Sequence, residues 1–257
     1  MSDPRAAAVV SRLRSAGCVF AEDEARLLLD AVRTPAELTS LVDRRVAGEP
    51  LEHLLGWVDF CGLRIEVDPG VFVPRRRTEF LAAHAASRGD RGAVVVDLCC
   101  GSGALGLAVA TALRSVDLHA ADVDPAAVAC ARRNVAAVGG RVHEGDLFEA
   151  LPDVLRGRVD VLVANVPYVP SDAIAWMPPE ARDHEPRIAL DGGADGLAVA
   201  RRLLAGAPAW LAPGGSVLFE TSEAQAPAAV DAVTAAGLAP TVVSDEEIGA
   251  TVVVGTA

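Results

Sequence analysis

Val94-Val95-Val96-Asp97-Leu98-Cys99-Cys100-Gly101-Ser102-Gly103-Ala104-Leu105-Gly106 is the stretch that decides the fold of this chain. Val94–Leu98, apolar except for Asp97, has the make-up of a strand buried on both faces. A glycine-rich turn follows, and Ala104–Leu113 then has a helical pattern. Gly101 to Gly106 reads GxGxxG. Glycines at those positions permit a tight turn and let the backbone come close to a ligand. The helix start behind them presents free N–H groups. About 20 residues further on, Asp122 ends a second apolar run, where a carboxylate can hold both hydroxyls of a ribose. Asp124 competes for that role but does not directly follow the apolar run.

Downstream, strands and helices alternate. Leu118–Asp122 reads as a strand and Pro125–Val138 as a helix. Arg141–Glu144 and Val159–Ala164 are two more strands. Pro167–Gly196, rich in proline and turn residues, reads as a long functional loop. Leu197–Leu211 reads as a helix, Gly215–Glu220 as a strand and Gln225–Ala236 as a helix, and the strands Leu238–Val243 and Thr251–Gly255 close the chain. This alternation predicts an α/β, Rossmann-like architecture: a doubly wound, mostly parallel sheet with helices on both faces. Ligands of such sheets sit beyond the carboxyl ends of the strands, where strand order reverses.

On its own the glycine motif suits a dinucleotide and S-adenosylmethionine equally. Two features favour the second. Asp97 precedes the glycines, where a carboxylate serves the cationic amino-acid part of S-adenosylmethionine and would be badly placed near a pyrophosphate. The third strand ends in Gly145-Asp146-Leu147-Phe148, an acid that can bond an adenine amino group followed by apolar residues that can cover its ring. The plainer role for Asp146 is a helix N-cap.

The fourth strand ends in Asn165-Val166-Pro167-Tyr168. Placed across the switch point from the glycine turn, Asn165 would project over a transferable methyl. An amide nitrogen or an exocyclic amine is a weak nucleophile because its lone pair is delocalised. Asn165 Oδ1 and the backbone C=O of Val166 can accept its two N–H hydrogens. That aims the nitrogen and stabilises the positive charge that grows on it. Pro167 stiffens the loop, and Tyr168 would pack its ring against the planar group.

Upstream, residues 4 to 48 have helical spacing, with Thr34 as an N-cap and Pro35 at the first helical position. Val58–Cys61 and Leu63–Val67 flank Gly62 as a hairpin, and Val71–Pro74 leads into Arg75–Glu79 and a new helix to about Ser87. The expected division is a helical domain over 1–56, a hairpin linker over 57–74 and a larger domain over 75–257.

Composition prunes the chemistry. The 23 basic residues are all Arg against 35 acids, giving a net charge of −12. Without Lys there is no P-loop lysine, no Schiff base and no Tyr/Lys dehydrogenase pair. So acidic a chain is poorly suited to duplex nucleic acid, whose binding rests on neutralised phosphates. The five cysteines, Cys18, Cys61, Cys99, Cys100 and Cys130, have no CxxC spacing, which argues against disulfides and a zinc site. Cys99 and Cys100 read as small apolar fillers. No apolar run has the layout of a signal or a membrane span, so a reducing, cytoplasmic setting is expected.

Several segments together resemble the HemK/PrmC protein-(glutamine N5) methyltransferases. Gly48-Glu49-Pro50-Leu51-Glu52-His53-Leu54-Leu55-Gly56 is similar to that family's approach to the hairpin. Val73-Pro74-Arg75-Arg76-Arg77-Thr78-Glu79 is similar to its PRPxTE segment. Glu185-Pro186-Arg187-Ile188-Ala189-Leu190-Asp191-Gly192-Gly193 resembles its loop after the fourth strand. The resemblance implies a class I S-adenosylmethionine-dependent methyltransferase with an N-terminal helical domain. It places cofactor contacts at Cys99, Cys100, Gly101, Ser102 and Gly103, a ribose contact at Asp122, and an adenine contact at Leu147 beside Asp146. It places Asn165 to Tyr168 on the family's Asn-Pro-Pro-Tyr motif, which holds the substrate glutamine. Val166 stands in place of the first proline there, Arg76 in place of the second proline of PRPxTE, and Cys99 in place of the usual first glycine.

The implied partner is a protein presenting an exposed glutamine loop, such as a peptide-chain release factor, and a monomer is expected. Three other readings stay open: transfer to an exocyclic amine of RNA or DNA, an NAD(P)-dependent oxidoreductase, and a non-enzymatic binding protein. Arg75–Arg77 are candidates for contacting an acidic substrate or the cofactor's carboxylate, and Trp57 and Trp176 for lining a substrate groove.

Overall fold

The computed structural model describes residues 4–257. Three helices open it: α1 (Pro4–Ser15), α2 (Ala21–Ala31) and α3 (Pro35–Val46). Thr34 caps α3 reciprocally: its hydroxyl accepts from Glu37 N at 3.2 Å, and Glu37 Oε2 accepts from Thr34 N at 3.1 Å. Leu13, Leu28 and Val42 close a small core of their own. A five-residue helix, α4 (Leu51–Leu55), had no periodicity long enough to be read; left-handed Gly56 ends it and bonds back to Glu52. The hairpin β1 (Trp57–Phe60) and β2 (Leu63–Glu66) follows. Cys61 and Gly62 form its turn with φ of 53° and 70°, the two positive values that match the twist of paired strands.

The main sheet contains β3 (Val94–Leu98), β4 (Asp117–Asp122), β5 (Arg141–Glu144), β6 (Val159–Ala164), β7 (Leu211–Thr221), β8 (Ala239–Asp245) and β9 (Ala250–Thr256). Their order is β5-β4-β3-β6-β7-β9-β8, parallel except that β9 runs antiparallel to both neighbours. The order reverses between β3 and β6, as the alternation predicts. Helices α5 (Thr78–Ala86), α6 (Ala104–Leu113) and α7 (Pro125–Val135) cover one face, where Leu81, Val109 and Cys130 meet Val95, Val161 and Val163. Helices α9 (Ala198–Gly206) and α10 (Ala226–Ala235) cover the other, where Leu203 and Val233 meet Val96, Leu162 and Phe219. In the central strands period-two alternation therefore sends successive residues into one core and then the other, which is why β3 is buried throughout.

Three sequence expectations need correction. Residues 167–196, expected to be one long loop, also hold α8 (Pro179–His184) and tight turns at Ile174–Trp176 and Arg187–Ala189. Ile174, Ala181 and Leu190 are buried there, so tertiary packing orders segments too short for a periodic signal. The helix expected to reach Leu211 stops at Gly206, because Pro208 follows and Leu211 already pairs with Val159. The helix from Pro125 ends at Val135 and tightens into a single 3-10 turn ended by left-handed Gly139.

Candidate active site

Leu98 pairs with Ala121 on one side and with Ala164 on the other, so β3, β4 and β6 end level with one another. One pocket opens over these ends. Asp97, Cys99, Cys100, Gly101 and Ser102 line it from the turn after β3, Asp122 from β4, Asp146 and Leu147 from beyond β5, and Asn165 and Pro167 from beyond β6. Ten of the sequence-derived residues thus meet at the switch point. Gly103, Val166 and Tyr168 do not line it. Gly103 takes a left-handed conformation (φ 77°) to start α6, and a Cβ there would lie 3.1–3.3 Å from Ala131 and Val135. Val166 is buried among the α9-side core residues.

The turn is fixed from beneath. Cys99 and Gly101 adopt φ of 56° and 55°. Gly101 N donates to Asp122 Oδ2 at 2.8 Å, and Asp124 N donates to Asp122 Oδ1 at 2.9 Å. Asp124 also lines the pocket, and its Oδ1 caps α7, accepting from Ala126 N at 2.9 Å. Gly106 N donates to Asp97 Oδ2 at 2.8 Å, and a Cβ on Gly106 would lie 2.9 Å from that oxygen. The motif's last glycine is therefore required by the approach of Asp97.

Among the described residues, three buried side-chain polar atoms lack a hydrogen-bond partner: Asp97 Oδ1, Ser102 Oγ and Asn165 Oδ1. All three residues line this pocket. Buried polar atoms are almost always paired, so three orphans around one cavity mark a ligand site. Burial pushes the Asp97 carboxyl up to about 7. Burial also raises Asp122, against the two N–H bonds that favour its ionised form. The Cys99 and Cys100 thiols are raised by burial too, which leaves them unreactive fillers rather than nucleophiles.

Asp146 occupies the position before a tight turn but makes no capping bond, and its carboxylate takes Arg202 Nη2 at 2.6 Å. Leu147 holds φ at 49°, a strained left-handed value for a leucine, with its side chain on the pocket wall. Tyr168 turns its hydroxyl to Glu220, donating to Oε1 at 2.9 Å. Burial first, then the Glu220 charge, raises the phenol.

Sequence reasoning missed the mouth of the pocket. Phe60 of the hairpin, Phe72, Pro74, Pro186 and Ile188 give it apolar walls, and Arg202 of α9 closes one side. It also missed Glu220, although an acid ending an apolar run is the signal that identified Asp122. Arg75 and Arg77 are committed inside the protein, Arg75 to Glu185 at 2.6 Å and Arg77 to Glu220 at 2.8 Å. Trp57 stacks under Arg64 at 4.1 Å and Trp176 is 88% exposed; neither lines the pocket. Among the described residues, no helix is long and apolar enough to cross a membrane.

Comparison with known proteins places the chain among methyltransferases. Residues 62–177 match the family described as methyltransferase small domain. The release factor glutamine methyltransferase of Geobacter sulfurreducens is 41% identical over 202 residues, covering 77% of this chain and 70% of the relative. The protein of the same name from Streptomyces coelicolor is 41% identical over 194 residues, covering 74% and 69%. A 4-amino-L-phenylalanine/4-methylamino-L-phenylalanine methyltransferase of Streptomyces pristinaespiralis is 36% identical over 193 residues, covering 72% and 65%. Among solved structures, a methyltransferase from Pyrococcus furiosus aligns with a TM-score of 0.57 at 18% identity, covering 76% of this chain and 89% of that one. A 16S rRNA methyltransferase of T. thermophilus, solved with AdoMet and guanosine, aligns with a TM-score of 0.56 at 21% identity, covering 78% and 49%. At those identities the structural likeness speaks to the fold.

Proposed function

This chain belongs to the family of release factor glutamine methyltransferases, which use S-adenosylmethionine, and on that premise we propose that it methylates the side-chain amide nitrogen of a glutamine in a protein. The three unpartnered polar atoms around one pocket carry the reading. They fit the cofactor and the acceptor together. Asp97 Oδ1 suits the cofactor's ammonium, Ser102 Oγ its amino-acid end, and Asp122 its ribose. Asp146 and the strained Leu147 offer an acceptor and an apolar wall to the adenine. Asn165 Oδ1 suits one N–H of the acceptor amide, and the Val166 carbonyl the other.

When bound, S-adenosylmethionine supplies an electrophilic methyl whose carrier leaves uncharged. The chain itself orients and desolvates. Asn165 and Val166 point the amide lone pair at the methyl and stabilise the cationic nitrogen as the new bond forms. No general base is required, because the methylated nitrogen becomes acidic and loses its proton readily. The walls at Phe60, Phe72 and Pro186 suit the two methylenes of a glutamine side chain and exclude water.

The same apolar mouth favours one second reading, transfer to a primary aromatic amine, since a relative bears such a substrate in its name. A release factor is the proposed protein partner. The proposed division is a helical domain at 1–56, a hairpin linker at 57–74 and a catalytic domain at 75–257, acting as a monomer in the cytoplasm. The test is transfer of labelled methyl from S-adenosylmethionine into a cognate cell lysate, followed by mass spectrometry. N5-methylglutamine in a protein is expected. Label on an aromatic amine would install the second reading, and label on a nucleobase would overturn both.

A further inference from the structure

Tyr168 is held from outside the pocket at both its polar ends. Its hydroxyl donates to Glu220 Oε1 at 2.9 Å and accepts from Arg77 Nη2. Arg77 Nε donates to the same Glu220 oxygen at 2.8 Å, and Thr78 Oγ1 donates to Glu220 Oε2 at 2.7 Å. The backbone carbonyl of Tyr168 accepts from Gln225 Nε2 at 2.9 Å. Gln225 is itself oriented: its Oε1 accepts from Thr221 Oγ1 at 3.1 Å and from Ser222 Oγ at 2.7 Å. Glu220 is the penultimate residue of β7 and Gln225 lies in the turn after it, so one short segment grips both ends of Tyr168.

The fit beneath is tight enough to exclude any side chain. A Cβ on Gly196 would lie 2.1 Å from Gln225 Nε2 and 2.2 Å from Tyr168 O. A Cβ on Gly192 would lie 2.7 Å from Pro167 O. Glu220 is 2% exposed. A buried ion pair adds little stability, because desolvation offsets the attraction. A carboxylate accepting three charged or hydroxyl donors does fix their mutual geometry.

The segment that needs fixing is Asn165 to Tyr168. Strand β6 anchors its near end, and Val166 lacks the ring that would lock φ. We propose that Glu220, together with Gln225, is a positioning residue: by clamping Tyr168 it sets where Asn165 Oδ1 and the Val166 carbonyl stand over the transferred methyl. This rests on the acceptor role given to Asn165.

Tyr168 is the chain's single tyrosine, so a tyrosine labelled with 13C at Cζ gives one resonance that reports this contact without any substrate. Glu220→Gln keeps the shape and removes the charge. It is expected to move that resonance and the side-chain amide signal of Asn165. It should lower kcat by about tenfold to a hundredfold, the scale of a small misplacement, and leave the dissociation constant of S-adenosylmethionine within about twofold. Gln225→Ala, at a less buried site, should do the same more weakly. In a Tyr168→Phe background Glu220→Gln should cost little further rate, because its effect passes through the hydroxyl. Unmoved resonances, an unchanged kcat, or losses that simply multiply in the double variant would each overturn the clamp. If the wild type methylates no protein glutamine, the acceptor reading fails, and the Tyr168 and Asn165 resonances still decide the clamp.

Discussion

Replacing Asp97 with asparagine should stabilise the protein at neutral pH and weaken its hold on S-adenosylmethionine. Asp97 is fully buried at the end of β3, bonded on one oxygen by Gly106 N at 2.8 Å and unpartnered on the other. Burial pushes its carboxyl from an ordinary 3.8 to about 7. The folded state therefore binds a proton that the unfolded chain has already released. That contribution is complete below about pH 4, is lost as pH rises towards 7, and stays lost above it. At about 1.4 kcal/mol per pH unit, holding the ionised form in the fold costs about 4 kcal/mol.

Asparagine removes that cost and keeps an oxygen for Gly106. Its amide N–H groups, left unpaired, return about 1–3 kcal/mol of it. The net gain above pH 7 is about 1–3 kcal/mol, read as a higher urea midpoint at pH 8. The gain should cross zero between about pH 4.5 and 6 and become a loss of about 1–3 kcal/mol by pH 4, where wild-type Asp97 is already protonated. With the charged bond to the cofactor's ammonium gone, affinity should fall by about 10-fold to 100-fold in calorimetry. An Asp97→Asn protein less stable than wild type at pH 8, or one that binds the cofactor unchanged, would refute the reasoning.

Asn165→Ala should lower methyl transfer by about 10²-fold or more while cofactor affinity holds; a parallel loss of both would place Asn165 at the cofactor alone. Gly196→Ala puts a Cβ on Gln225 and Tyr168 at φ 77°, so thermal unfolding should show a loss of about 1–3 kcal/mol. At the sheet edge, His119 Nδ1 and His143 Nε2 share a bond of 2.9 Å, beside Asp117 and Arg141. Burial lowers both imidazoles from 6.5, so their stability contribution is present above pH 6.5 and lost as pH falls below it. This is opposite in sign to Asp97. In an Asp97→Asn background, stability should drop between pH 7 and pH 5, and His143→Gln should flatten that drop.

The strands and helices beside the pocket were legible because their signals are local. Val94–Leu98 and Ala104–Leu113 have the boundaries that burial on two faces and the glycine turn dictate. The clustering of Asp97, Asp122, Asp146 and Asn165 was legible too, since each lies at or just beyond the carboxyl end of a strand and parallel strands end on one side of a sheet. The segment 167–196 was not legible. Its short helices are ordered by distant partners, such as Glu185 accepting from Val73 N at 3.2 Å and from Arg75, and no periodicity within the segment encodes these. Tyr168 was expected to face the acceptor group, but its hydroxyl is drawn to Glu220, 52 positions away.

By itself the sequence determined the order of elements, the sheet class, the cofactor-type turn and the polar residues near the strand ends. These follow from side-chain period, glycine conformation and the chemistry of single residues. Only the tertiary structure decided which polar atoms are left without partners, which carboxyl is raised by burial, and what holds the Asn165 loop. Those properties belong to burial and to pairs of residues brought together from remote positions, and neither is written in any one stretch of the chain.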